Sequence, residues 1–197
     1  MPVFLLGLGL FVAVHLSRVA APGWRASAME RWGEGAWKGV YSVLSLVGLV
    51  LLGRGYEAAY GETAILYDVP SWGRYVPWAL MAAAFVLALA SGGPAGRIRR
   101  AVGDPLLLAT ILWAFAHLFV RSDALHVALF GGFLLWASID LWDARRRRRL
   151  GTTAPIALAE GARPWIADGV AVVGGLGLWL AFMAFLHHWL FGVSPLG

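Results

Sequence analysis

The chain is 197 residues long, with 60% hydrophobic residues, 14% charged residues and a mean hydropathy of +0.71. The hydrophobic fraction and the mean hydropathy lie above those of an ordinary soluble domain and the charged fraction lies below, so the composition indicates a protein that crosses a membrane several times. The absence of cysteine excludes a disulfide framework, an iron–sulfur site and a haem held through a thiolate or a CxxCH sequence.

Six stretches without Asp, Glu, Lys or Arg predict the membrane spans. Each approaches the roughly 20 residues that a helix needs to cross a bilayer, once flanking Lys, Arg, Trp and Tyr are counted. We therefore predict a single all-α domain, residues 1–197, that forms a bundle of about six transmembrane helices. The predicted spans are residues 1–17, 39–53, 75–96, 105–120, 124–139 and 169–197.

The basic residues alternate between the connections. Of the 16 lysines and arginines, all except Arg54, Arg74 and Arg121 fall in the first, third and fifth connections. Since cytoplasmic loops are enriched in Lys and Arg, both termini are expected outside, in the periplasm of a bacterial inner membrane. The five arginines at 145–149 follow an apolar span directly, so their expected partner is the lipid bilayer with its anionic headgroups, and not nucleic acid.

The second and fourth connections, which are expected outside, differ in length. Residues 54–74 carry several aromatic side chains, which favour anchoring at the membrane surface over a lid above a cavity. The connection at 121–123 is so short that the fourth and fifth spans must form an antiparallel hairpin. His126 then returns toward the end of the fourth span. Like His187 and His188, it is expected near the outer surface, where a hydrated histidine needs no ligand role.

His117 places one imidazole inside an apolar span. An unpaired polar ring in hydrocarbon costs several kcal/mol, so intramembrane histidines usually face a bundle interior, a cavity or a metal. Trp113 and Arg121 lie four residues before and after it, on the same helical face, which would suit a flat, anionic ligand that carries a metal. In the alternative interpretation His117 only hydrogen-bonds to a neighbouring helix. For Arg121 a salt bridge with Asp123 is the preferred interpretation, and a contact to the ligand is the alternative.

The depths of the histidines in the membrane indicate which of them could share a metal. At about 1.5 Å per residue, His15 and His117 differ in depth by roughly 7 Å, which helix tilt and side-chain reach can accommodate. A haem between the first and fourth spans, with one imidazole on each iron face, is the preferred arrangement. A pair of His117 with His187 remains open, because both lie about one turn from the outer boundary.

Segments spread over nearly the whole chain carry a resemblance to a known family. They are VHLSR at 14–18, RASAMERWGEGAWKGVYSVLSL at 25–46, GRIRR at 96–100, DPLLLATILWAFAH at 104–117, FGGFLLWASID at 130–140 and FLHHWLFG at 185–192. In these segments the chain resembles the NnrU family, whose membrane core is similar to that of 15-cis-zeta-carotene isomerase. Where that family has a histidine before a proline, this chain has Asp104, which we predict to cap the following helix.

The resemblance implies a haem b bound through histidine. By position in the matching segments, the candidate metal ligands are His15, His117 and His187. The residues predicted to contact the cofactor are Trp113, Arg18 and Arg121. The resemblance further implies a link to denitrification, through nitrite and nitric oxide reduction, or to the non-redox isomerisation of a polyene double bond.

Three classes of function follow from these observations. The first is an enzyme, a haem-dependent cis-trans isomerase that acts on an apolar polyene. The second is a haem or nitric oxide sensor, or an assembly factor, that contacts a membrane partner protein. The third is a haem-free membrane assembly or regulatory protein, in which the histidines hydrogen-bond only within the bundle.

The distribution of charge makes a prediction about orientation. A reporter fused after Gly197 is expected in the periplasm, and one inserted after Gly151 in the cytoplasm, because the basic connections stay inside. Alkaline phosphatase and fluorescent-protein fusions measure both positions. A cytoplasmic signal from the fusion after Gly197 would show that one of the six predicted crossings is wrong.

Overall fold

The computed structural model describes residues 1–156 and 163–196, and all regular secondary structure in this part of the chain is helical. The helices are α1 (Pro2–Ala20), α2 (Pro22–Ala59), α3 (Val76–Ser91), α4 (Arg97–Val102), α5 (Pro105–Leu118), α6 (Ala124–Arg149), α7 (Pro164–Ala181) and α8 (His187–Phe191). A 3-10 turn, Ser71–Tyr75, leads into α3, and a π-helical segment, Phe182–Leu186, joins α7 to α8.

Five helical spans of the described residues are long and apolar enough to cross a membrane: Pro2–Ala20, Pro22–Ala59, Ser71–Ser91, Ala124–Arg149 and Pro164–Phe191. Helix α5 is equally apolar but has only 14 residues. The predicted polytopic helical bundle is thus confirmed, and each of the six predicted stretches overlaps one of these helices. Two helices are much longer than the predicted spans. Helix α2 begins at Pro22, well before residue 39, and α6 continues through the arginine run to Arg149.

The extra length of α2 includes a break. Gly33 has φ 81° and ψ 156°, which are not helical values and which residues with a Cβ rarely adopt. The first eleven or so residues after Pro22 therefore form a separate helical piece, and the apolar span follows the break. Most of the connection between the first two predicted spans is consequently helical.

The helices pack side by side in the order α2, α1, α6, α5, α3, α7, so α6 lies between α1 and α5. Met1 and Tyr56 both pack against the core cluster that contains Ala59 and Leu125, and the Pro195 carbonyl accepts a hydrogen bond from Trp78, so both termini lie at one end of the bundle. We call this the termini end. The opposite end, which holds the ion pairs of Arg18 and Arg148, is called the arginine end.

Small residues fill the helix interfaces. The buried alanines include Ala84, Ala109, Ala114, Ala116, Ala137, Ala144 and Ala171, whereas many Leu and Val side chains point outward. In α1, Gly7 lies against the backbone of α2 at Gly48 and Leu52, where a Cβ would not fit. Because lipid is as apolar as Leu, close backbone contact of this kind is a main source of helix association in membranes.

The arginine end is held by ion pairs between helices. Arg18 on α1 donates to Asp140 on α6 at 2.6 Å, and Arg148 on α6 pairs with Asp104 at the start of α5. The predicted capping role of Asp104 is wrong, because its side chain makes no hydrogen bond to the amides of α5. Its carboxylate instead neutralises one of the five arginines at 145–149.

The termini end is held by a buried polar network around His126. Asp123 accepts from the imidazole Nδ1 at 2.6 Å, and in the neutral imidazole the Tyr56 hydroxyl donates to Nε2 at 2.9 Å. Thr63 donates to the other Asp123 oxygen at 3.0 Å. The expectation of a hydrated His126 is wrong, because only 5% of the residue is exposed.

The same network corrects the predicted partner of Asp123. Its carboxylate binds Thr63 and His126, and within residues 1–156 and 163–196 no ion pair joins it to Arg121.

The loop between α2 and α3 is tied to the turn between α5 and α6. The Leu66 amide donates to the Ser122 carbonyl and the Ala124 amide to the Ala64 carbonyl, both at 2.8 Å. The Tyr67 hydroxyl contacts the carbonyls of Leu118 and Arg121. This loop therefore covers the turn and satisfies its backbone.

We expect Asp123→Asn to lower the free energy of unfolding by about 2 kcal/mol, because a charge-assisted hydrogen bond to the buried His126 is lost. Unfolding by SDS in mixed micelles, followed by tryptophan fluorescence, measures the change. Asp68→Asn is the matched control, since Asp68 is an exposed carboxylate in the loop between α2 and α3 that covers this turn. Equal stability of the two variants would contradict the assigned role of the network.

Candidate functional site

A cavity of about 360 Å³ opens at the termini end of the bundle. Its walls come from the start of α3, the end of α5, the end of α7 with the π-helical segment, and the C-terminal residues. The volume lies at the lower end of the usual range for small-molecule sites, and the walls are mostly apolar with a few polar groups. The side chains that matter for its chemistry are those of Arg74, His117, Arg121, Trp179 and His187.

Both cavity histidines are held in one tautomer. The Nδ1 atom of His117 lies 2.8 Å from the Trp113 carbonyl oxygen, and that of His187 lies 2.7 Å from the Val193 carbonyl oxygen. A carbonyl oxygen only accepts, so in the neutral imidazole Nδ1 carries the proton and Nε2 keeps a lone pair. Metal-binding histidines are commonly oriented in this way by a backbone carbonyl.

The ring of His117 is positioned by aromatic neighbours. It stacks on Phe130 of α6, with centroids 4.6 Å apart and an interplanar angle of 24°. Trp113, one turn earlier on α5, lies 5.4 Å from it. Trp113 itself packs against Phe130 and Phe133, so the predicted contact residue supports His117 from the side of α6.

His187 follows directly after the π-helical segment Phe182–Leu186. Such segments are rare in helices and occur often at functional sites. Phe182 and Met183 from this segment line the cavity. The wider turn of this segment therefore changes the direction in which the next side chains point, and the first of these is His187, which lines the cavity.

The C-terminal residues fold back over the cavity. Helix α8 ends at Phe191, the next residue, Gly192, has φ 70°, and the following residues return toward α3. The Val193 carbonyl accepts from His187, and the Pro195 carbonyl accepts from the indole N–H of Trp78 at 3.3 Å. This segment orients one histidine and closes one side of the cavity.

The charge of the cavity is positive. Arg74 and Arg121 both line it, and no Asp or Glu is among its described lining residues. The indole N–H of Trp179 is buried and has no hydrogen-bond partner within residues 1–156 and 163–196. Two guanidinium groups and an unused donor on an otherwise apolar surface favour an apolar ligand with anionic groups at one edge.

The structure brings together only some of the predicted site residues. His117, His187 and Arg121 share the cavity wall, and Trp113 lies beside His117. His15 and Arg18 do not reach this cavity. Arg18 pairs with Asp140 at the arginine end, and its guanidinium is thereby engaged on the far side of the bundle.

The ring of His15 lies in a separate aromatic environment. Its Nδ1 lies 2.8 Å from the Phe11 carbonyl oxygen, and its ring contacts Phe11, Trp136 and Tyr41 at centroid distances of 4.0, 4.8 and 5.3 Å. Phe11 in turn contacts Phe133, which contacts Trp113. Three aromatic side chains thus link His15 to the His117 side of the bundle. The arrangement of one haem between His15 and His117 stays a prediction.

Several parts of the cavity have no signal in the sequence. Arg74 stands out there only as one of three cations outside the basic connections, and no motif marks Trp179. The adjacency of α3, α5 and α7 has no signal in the spacing of apolar residues. The described residues contain no group of three or more His, Asp or Glu side chains that could hold a bare metal ion.

Comparisons with known proteins identify the family to which the chain belongs. The chain matches the family described as NnrU protein over residues 3–195. No curated protein and no solved structure matched it. With nearly its whole length matched, a helical bundle of apolar spans and the histidines in the segments quoted above, the chain belongs to the NnrU family.

Proposed function

We propose that this protein is a multi-pass membrane haem b protein whose site is the cavity at the termini end. The observation that carries the proposal is the pair of imidazoles, His117 and His187, each with Nδ1 held by a carbonyl and Nε2 left to bind. Histidine is the usual protein ligand of haem b iron. The proposal takes the second of the two arrangements that the sequence left open.

The remaining groups of the cavity suit a haem. The apolar walls from α3 and α7, including Phe85 and Met183, match the apolar body of the macrocycle. Arg74 and Arg121 supply charge-assisted donors for its two propionates. When bound, the iron would supply a Lewis-acid or redox centre, with its properties tuned by the histidines and their carbonyl partners.

The chain's own residues would bind the ligand and hold it. The Trp113 and Val193 carbonyls keep His117 and His187 in the tautomer that presents Nε2. The C-terminal segment closes one side against water. The links to denitrification, to a partner protein and to polyene isomerisation stay predictions of the resemblance, as does the location in a bacterial inner membrane.

The first test removes each histidine in turn. Purified from haem-supplemented cells, His117→Ala and His187→Ala are expected to lose most of the haem or to change its spin state, because each removes a histidine that would bind the iron. His188→Ala is the matched control, since His188 is the exposed neighbour of His187. Pyridine haemochrome content and the reduced absorption spectrum give the result.

His15→Ala separates the two arrangements. If the cavity holds the haem, this variant keeps the haem content and spectrum of the parent protein. Loss of haem from His15→Ala together with an unchanged His187→Ala variant would place the haem between α1 and α5. If the parent protein shows no Soret band, haem binding is excluded, and the third class, a haem-free membrane assembly or regulatory protein, is favoured.

The second test concerns the propionate partners. Arg74→Gln and Arg121→Gln are each expected to weaken haem binding by about tenfold, which corresponds to the loss of one charge-assisted hydrogen bond. Haem titration into apoprotein, followed at the Soret band, measures the affinity. Arg54→Gln is the control, because Arg54 is an exposed cation of the same end that pairs with Glu57. An equal effect of all three changes would indicate general electrostatics in place of a site.

A further inference from the structure

The five arginines at 145–149 divide into two structural groups. Arg147 pairs with Asp143 and Arg148 with Asp104, and both arginines are partly buried. Arg145, Arg146 and Arg149 are exposed, and within residues 1–156 and 163–196 none of them has a carboxylate partner. Three charges of the run are therefore left for something outside the bundle.

These three arginines lie on one face of α6. Ser138, Leu141 and Trp142 lie on the same face one to two turns earlier, so the six residues form a stripe with spacings of three and four residues. The stripe lines a second cavity of about 540 Å³ at the arginine end. Ile111 from α5 and Leu150 complete its walls, so the cavity has an apolar part toward the membrane and three guanidinium groups beyond it.

We propose that this second cavity binds the headgroup of one anionic phospholipid. Three guanidinium groups can donate in pairs to the oxygens of a phosphodiester, a geometry that arginine favours. The apolar part, with Ile111 and Leu141, would receive the first carbons of an acyl chain. Trp142 is 59% exposed and lies under the Arg146 guanidinium at 5.7 Å from the ring centre, as expected of an interfacial tryptophan.

The position of the cavity favours a lipid over a soluble anion. Its residues continue the apolar surface of α6, where Leu135 is 61% exposed. Basic pockets between transmembrane helices on the cytoplasmic side are known to bind anionic lipid headgroups. A free phosphate would use the guanidinium groups but leave the apolar wall uncovered. The proposal is independent of haem, because the two cavities lie at opposite ends of the bundle.

The experiment compares lipids by native mass spectrometry. The full chain is released from nanodiscs that contain equal amounts of phosphatidylglycerol and phosphatidylcholine. We expect one retained phosphatidylglycerol on the parent protein. Each cation near an anionic headgroup is worth about fivefold in affinity, so Arg145→Gln/Arg146→Gln/Arg149→Gln should weaken this binding by about 100-fold.

A matched triple variant controls for net charge. Arg31→Gln/Arg97→Gln/Arg100→Gln removes three exposed arginines that lie outside the second cavity, and it should retain the lipid like the parent. Equal loss in both triple variants would overturn the proposal in favour of general attraction to the surface. Retention of both lipids alike, or displacement of phosphatidylglycerol by millimolar inorganic phosphate, would overturn it as well.

A measurement on the unchanged protein guards against a variant that fails to fold. Phosphatidylglycerol with a photoactivatable group near the start of its acyl chain is incorporated into the nanodiscs and irradiated. The crosslinked peptides should contain Ile111 or the segment 138–150. Crosslinks spread evenly over the exposed helices would overturn the proposal.

Discussion

The length of α5 is the constraint on which much of the structure depends. Its 14 residues rise about 21 Å, whereas the apolar core of a bilayer is about 30 Å thick. With Asp104 at the arginine end, the turn after Leu118 therefore lies below the membrane surface, where unpaired backbone groups are costly. The loop between α2 and α3 offsets this cost, because Ala64, Leu66 and Tyr67 form hydrogen bonds with the backbone of the turn. The network of Asp123 and His126 then connects the turn to α2, and so joins the two halves of the row of helices.

The same short helix creates the cavity. Because α5 ends early, the space between α3 and α7 at the termini end is not filled by a further helical turn. His117 stands in the last turn of α5 and faces that space, with Arg121 just beyond it. The central position of α6 keeps the histidine of α1 away, since Phe133 and Trp136 of α6 pack between the two sides. The geometry thus separates one histidine that packs among aromatic rings from two that border a cavity.

How well the sequence predicts this arrangement depends on how far apart along the chain the interacting residues lie. The spans and the alternation of charge follow from local composition, because removing a charge from water is costly wherever it occurs along the chain. The burial of His126 could not be foreseen, because its partner Tyr56 is 70 residues away. Asp104 has the sequence context of a cap, yet Arg148, 44 residues away, takes its carboxylate. Pairings of this kind depend on which helices become neighbours, and apolar stretches of similar length do not distinguish one neighbour from another.

The two walls of the cavity differ in how firmly they are held. His117 belongs to a helix that packs on both α3 and α6, and its ring stacks on Phe130, which is 5% exposed. His187 follows a π-helical segment and depends on a C-terminal stretch that makes few hydrogen bonds, while its neighbours Trp189 and Phe191 are 77% and 64% exposed. Segments with few buried contacts open at the lowest free energy. Opening of the cavity is therefore expected to begin on the His187 side, while His117 keeps its position on α5, which packs between α3 and α6.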